Sequence, residues 1–173
     1  MSRNSILLMI SLLEQLNEFL GKAALATYAG GGAPLSPTET EKGMIEFEYG
    51  NKGDEWYYKD SYAGFYQSWG REVVWYAGKP FWVQLYGGSM KEEFHNDLAF
   101  TRKTFTFLKQ ALSAGEKVTS FQPRGPKKIN DGDWEYICDW KGDITKFNGS
   151  EKILYKENVI FTYNFNGGLF LLL

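Results

Sequence analysis

The chain has 173 residues, 19 Lys and Arg against 21 Asp and Glu, a formal net charge of −2, and a high aromatic share of 17%. That length suits one domain, read as 1–173, which buries roughly 70% of its unfolded surface and needs no disulfide or metal to hold it. The acidic balance argues against a protein that neutralises phosphates, and a single cysteine, Cys138, excludes an internal disulfide and a thiolate metal cluster. No cofactor is called for, and a reducing, cytoplasmic setting is expected.

The opening "MSRNSILLMISLL" begins like a signal peptide, but Glu14, Glu18 and Lys22 follow where such a segment stays uncharged. At helical spacing Met9, Leu12, Leu13, Leu16, Phe19, Leu20, Ala23 and Ala24 share one face, which predicts an amphipathic helix over 5–26. "TYAGGGAP" comes next. Phosphate loops put glycines after a strand and before a helix; here the helix comes first and no Lys-Ser/Thr pair closes the run. Gly30 to Gly32 therefore read as a helix terminator, with at least one glycine at positive φ.

Strands follow over 44–87. Ile45, Phe47 and Tyr49 alternate with Glu46 and Glu48, Asn51-Lys52-Gly53 turns the chain, and "DEWYYKDSY" returns it. "REVVWYAGKPFWVQLYGG" reads as a second hairpin with Trp82, Gln84 and Tyr86 on one face and Phe81, Val83 and Leu85 on the other. Ser89 and Glu92 form a capping-box signature that opens a helix over 90–113, where Phe94, Leu98, Thr101, Phe105, Leu108 and Leu112 recur. After a loop with Pro123 and Pro126, three short strands are predicted within 133–170, with Asn148-Gly149 as a hairpin turn. No internal repeat is visible. The fold class is α+β: a curved antiparallel sheet of about seven strands with the two main helices packed on one face. Leu16, Phe19, Leu20, Phe105, Leu108, Phe161 and Tyr163 are the expected core.

Few residues suit catalysis. His95 is the only histidine, read as a rim residue, and no G-x-S-x-G elbow exists. Cys138 sits in a strand-like alternation and reads as a buried, inert thiol. Asp60 and Glu72 lie in a span dense in Tyr and Trp, where desolvation raises a carboxylate's pKa toward acid–base use; Tyr62 and Tyr86 are the candidate partners. Trp56, Tyr58, Trp69, Trp82, Gln84 and Arg124 are the candidate ligand contacts. The alternatives are carboxylates turned outward at hairpin ends, aromatics interlocked as ordinary core, and Arg124 as a solvated loop charge.

The stretches "FLGKAALATYAGGGA", "YYKDSYAGFYQSWGREVVWYAGKPFWVQLYGG", "FLKQAL", "RGPKK" and "DWEYICDWKGDITKFNGSEKILYKENVIFTYNFNGG" carry a resemblance. Together they resemble an uncharacterised bacterial and archaeal family, a domain of unknown function found alone or as the C-terminal module of some Xre-type helix-turn-helix regulators. The resemblance implies no catalytic residues. Together with the aromatic excess and the helix-covered sheet, the family's place in regulators favours a sensor-like module that binds a small ligand or a partner. The clustering of carboxylates and aromatics alone supports the alternative, a small enzyme using a carboxylate and a tyrosine. Neither a membrane nor a nucleic acid is expected as partner; the apolar end "LFLLL" suggests self-association.

Overall fold

The computed structural model describes residues 3–115 and 119–170. Helix α1 (Arg3–Ala26) leads into strands β1 (Ile45–Tyr49), β2 (Trp56–Gly64), β3 (Gln67–Tyr76) and β4 (Lys79–Met90). Helix α2 (Leu98–Ser113) then precedes β5 (Lys128–Asp131), β6 (Trp134–Asp143), β7 (Lys146–Tyr155) and β8 (Asn158–Leu169). The strands form one open sheet in the order β1-β2-β3-β4-β8-β7-β6-β5, every neighbour antiparallel. Both helices lie on the face that carries Tyr58, Trp82, Tyr86 and Tyr163. Leu16, Leu108, Phe161 and Tyr163 are buried as expected, while Phe19, Leu20 and Phe105 are only partly so. The Leu171–Leu173 end lies outside the described residues.

The glycine run ends α1. Gly31 holds φ +80°, and a Cβ on Gly30 would fall 1.7 Å from the Leu25 carbonyl oxygen, so only glycine lets the chain fold back this closely.

Three local expectations give way to pairing. Ser89 does not cap a helix: it stays in β4, paired with Gln67 and Thr162, and α2 starts at Leu98 with Asp97 accepting the Phe100 N–H at 2.9 Å. Two ladders of hydrogen bonds outweigh one cap. Asn148-Gly149 is not a turn but the interior of β7, paired with Lys141 and Trp140 on one side and Asn166 and Phe165 on the other. The eighth strand, β5, is a short and mostly exposed edge that shows no alternation to read.

The sheet also contains a repeat. An approximate two-fold axis runs between β4 and β8 and exchanges the meander β1–β4 with β5–β8, each preceded by a helix. Tyr86 and Phe165 pair across the axis, and Met90↔Phe161 pairs as the image of Trp82↔Leu169. The β3–β4 ladder shifts register between Val74 and Trp75, and the β7–β8 ladder does so at the matching step, Ile153 to Leu154. The turns after them also match: Ala77-Gly78 hold φ 48° and 74°, Lys156-Glu157 48° and 66°. In both copies a glycine lies beneath an aromatic ring, Gly70 under Tyr86 and Gly149 under Phe165. The repeat is masked in the sequence because the residues that remain alike are scattered (Trp56/Trp134, Tyr58/Tyr136, Gly64/Gly142, Gly70/Gly149, Glu72/Glu151, Tyr76/Tyr155, Gly88/Gly167) and because spacing changes at one hairpin. There Gly64 pairs with Ser68, but Gly142 with Phe147.

Candidate functional site

Between α1, α2 and the inner face of the first meander lies a cavity of about 270 Å³. Leu20, Ala24, Leu108 and Leu112 form its helical side, and Tyr58, Asp60, Tyr62, Ser68, Glu72, Trp82, Tyr86 and Tyr163 its sheet side. Tyr28, from the turn after α1, and Phe121 to Arg124, from the α2–β5 loop, complete it. Strand alternation explains the selection: Tyr58, Asp60 and Tyr62 are every second residue of β2 and so share the inner face.

The hollow follows from small or polar side chains at positions that the second meander fills. Ser68 stands where that copy has Phe147, which stacks on Trp82 at 5.7 Å and packs against Phe121 and Phe165. Asp60 corresponds to Cys138, and Tyr86 to Phe165. Under α2, Phe100 and Phe107 pack on Trp134 and Tyr155 as Phe19 of α1 packs on Trp56 beside Tyr76, so the copies agree at this end of the sheet and differ where the cavity lies.

Asp60 and Glu72 are direct cross-strand partners in mid-strand, not hairpin-end carboxylates. Asp60 is 5% exposed and accepts a hydrogen bond from the Tyr86 hydroxyl at 2.6 Å. Burial, and then the charge of Glu72, push its pKa up to about 7, although the Tyr86 hydrogen bond and Arg124 act the other way. The Ser68 and Tyr163 hydroxyls are hydrogen-bonded to each other.

Arg124 is not a solvated loop charge. Its guanidinium is buried, held by Glu151 at 2.9 Å and by Glu72 at 3.3 Å, and it lies over the Tyr86 ring at 4.7 Å. Burial opposes its charge, but Glu151 and then Glu72 outweigh that and raise its pKa well above the usual value. Glu151 also accepts from the Tyr136 hydroxyl at 2.6 Å, and that hydroxyl accepts the Gly125 N–H at 2.9 Å. A Cβ on Gly125 would sit 2.7 Å from the Tyr136 ring, so the glycine lets the loop settle onto it and aims Arg124 inward. Glu72 is shared with Gln84, whose Nε2 donates to it at 3.2 Å; the other amide atom, Oε1, is buried and finds no hydrogen-bond partner among the described residues.

Of the residues singled out from sequence, Tyr58, Asp60, Tyr62, Glu72, Trp82, Tyr86 and Arg124 come together at the cavity. Gln84 lies beneath its floor. Trp56 shares the face but stacks on Phe19 beyond the cavity. Trp69 points to the opposite face, 62% exposed, against Gly87. His95 stacks on Tyr66, its Nε2 3.0 Å from the Met90 carbonyl oxygen, away from the cavity. Cys138 is buried in the second meander, and burial pushes its thiol up to about 12. Glu151, Ser68, Tyr28 and Tyr163 were not singled out as site residues. The signal for Glu151 was present: Gly149-Ser150-Glu151 echoes Gly70-Arg71-Glu72, but it is visible only once the repeat is known.

A family model described as a domain of unknown function (DUF5680) matches residues 60–170. That segment starts at Asp60 and includes Glu72, Tyr86, Arg124, Glu151 and Tyr163, leaving α1 and β1 outside it. No curated protein and no solved structure matches.

Proposed function

The chain belongs to the DUF5680 family, and we propose that it is a sensor-like module that binds a small molecule in the cavity between its helices and its first meander. One observation carries this reading: the same scaffold is built twice, packed in one copy and hollow in the other. Asp60, Ser68, Gln84 and Tyr86 occupy positions held by Cys138, Phe147, Tyr163 and Phe165 in the second meander. A buried carboxylate lowers stability, so stability alone does not account for Asp60. An apolar cavity with a few convergent polar groups is the usual form of a small-ligand site. The resemblance to modules of helix-turn-helix regulators supplies the sensor role in a cytoplasmic setting. A ligand that touches Ala24 of α1, Leu108 of α2 and the sheet would tie the two helices together.

The test is a metabolite screen read by tryptophan fluorescence, since Trp82 lines the cavity. A compound should bind the wild type and not Ser68→Phe, which places the second copy's residue in the first. A Ser68→Phe protein that still melts cooperatively and binds as well as wild type would move the site elsewhere.

A second reading has one observation in its favour. Asp60 titrates near neutrality and holds a hydrogen bond from Tyr86, which suits a general acid–base pair. Turnover of a bound compound, abolished in Asp60→Asn while binding persists, would establish it.

A further inference from the structure

Resting on that binding reading, we propose that the ligand is an organic cation, an amine or quaternary ammonium with one ring, held against tyrosine faces with Asp60 as its counter-ion. The charges on and just behind the cavity wall lead there: Asp60, Glu72 and Arg124 line it, and Glu151 lies behind Arg124. Three carboxylates, Asp60, Glu72 and Glu151, gather around one buried guanidinium, and Arg124 is already engaged by Glu151 and Glu72. Among the described residues no cation lies within ion-pair distance of Asp60; its partner is the neutral hydroxyl of Tyr86. Lys109 is at the rim, but its ammonium lies over the Tyr28 ring at 4.5 Å. An anion entering here would meet three carboxylates, Glu151 behind the wall included, against the two cations Arg124 and Lys109. A neutral molecule would leave Asp60 unpaired, and a cation supplies the missing partner.

The walls suit such a guest. Tyrosine faces attract cations through the ring quadrupole, most strongly where water is excluded. Two faces already do so in this cavity: Tyr86 beneath Arg124 at 4.7 Å and Tyr28 beneath Lys109. Tyr28 and Tyr62 meet edge to face, 6.0 Å apart at 80°, and so form a corner rather than a flat wall. The cavity, about 270 Å³, exceeds the roughly 150 Å³ that accommodates benzene and falls just short of the roughly 300–1,000 Å³ of drug-sized sites. A single ring with an ammonium head fits that range.

Binding should then depend on pH through Asp60. The charged and titratable groups that face it are Glu72 on β3, Tyr86 on β4, Tyr163 on β8, Lys109 on α2, Arg124 on the α2–β5 loop and Tyr28 after α1. Tyr58 and Tyr62 flank it on its own strand. Burial raises the pKa of all five of these phenols, and Arg124 is raised as well, so none of these six changes charge between weakly acidic and weakly basic pH. As the pH falls, Asp60 takes up a proton and the cation loses its counter-ion.

Isothermal titration with benzyltrimethylammonium and its neutral carbon isostere, neopentylbenzene, tests the assignment. The ammonium should bind the wild type at least about tenfold more tightly than the isostere near pH 8, and that advantage should shrink by about tenfold near pH 5.5. Asp60→Asn should melt cooperatively and lose the advantage at both pH values. Equal binding of the two probes, or an advantage that survives in Asp60→Asn, would overturn the cation assignment and leave the binding cavity standing. If neither probe binds, native mass spectrometry of protein purified from its own host decides. A retained cation supports the assignment, a retained neutral or anionic molecule overturns it, and no retained molecule overturns the binding reading as well.

Discussion

Where β2 and β3 present Asp60 and Ser68 to the helices, β6 and β7 present Cys138 and Phe147, so one meander carries a cavity and its twin carries packed aromatics. The acidic residue common to both copies behaves differently. Glu72 and Glu151 occupy matching positions and grip the same guanidinium from the two halves of the sheet, with Arg124 bridging them. The comparison therefore separates two kinds of buried carboxylate. The repeated pair is an internal clamp with its cation supplied; Asp60, found in one copy only, has no cation within ion-pair distance among the described residues.

Breaking the clamp should have the largest effect. Glu151→Ala leaves Arg124 with Glu72 alone and strips the Tyr136 hydroxyl of its acceptor, at a cost of about 3–5 kcal/mol by chemical denaturation. Glu72→Ala should cost less, because the Glu72 side chain is 16% exposed against 0% for Glu151. Equal losses would mean that the halves share the clamp evenly.

Exchanging residues between the copies comes next. Phe147→Ser empties a packed site and should cost about 3–5 kcal/mol. Ser68→Phe enters a cavity and should change stability by less than about 1.5 kcal/mol. A large loss from Ser68→Phe would show that the hollow cannot accept its twin's side chain.

Asp60 sharpens the contrast through pH. In the fold its pKa is raised from 3.8 to about 7, so between those values the folded chain holds a proton that the unfolded chain releases. Asp60's own contribution to stability should be greatest below about pH 4, fall as the pH rises toward about 7 and level off above it. Asp60→Asn, whose amide oxygen still accepts from Tyr86, should remove that slope. It should stabilise the protein near pH 8 by on the order of 3 kcal/mol, read from melting curves across the range. A stability difference between Asp60→Asn and the wild type that does not grow from pH 4 to 7 would place Asp60 among the ion-paired carboxylates.

The smallest effect belongs to the outer face. Trp69→Ala should shift stability by no more than about 1 kcal/mol and leave ligand affinity unchanged, because the ring lies across the sheet from the cavity. A loss of binding in that variant would show that the two faces are coupled.

Much of this was readable from local pattern. Alternation put Trp82, Gln84 and Tyr86 on one face, and the cavity uses that face. Helical spacing placed Leu16 and Leu108 in the core, and the order of helix and glycines predicted a terminator where Gly31 takes positive φ. The same reasoning failed where one short signal competed with long pairing. Asn148-Gly149 is a strong turn dipeptide, yet its neighbours are tied to β6 and β8 at once, and the turn falls at Ile144-Thr145. Trp69 shares an aromatic-rich span with Tyr62 and Trp82, but crowding in sequence does not assign a face; strand parity does.

What the sequence by itself determined is therefore whatever depends on a residue and its near neighbours: most of the helix and strand segments, and which side chains of one strand share a face. Burial of Arg124 between Glu72 and Glu151, the pairing of Asp60 with Glu72, and the cavity over the first meander were decided by the tertiary structure. Each depends on groups brought together by sheet register and a two-fold arrangement across β4 and β8, and charge and volume are settled only when distant segments meet.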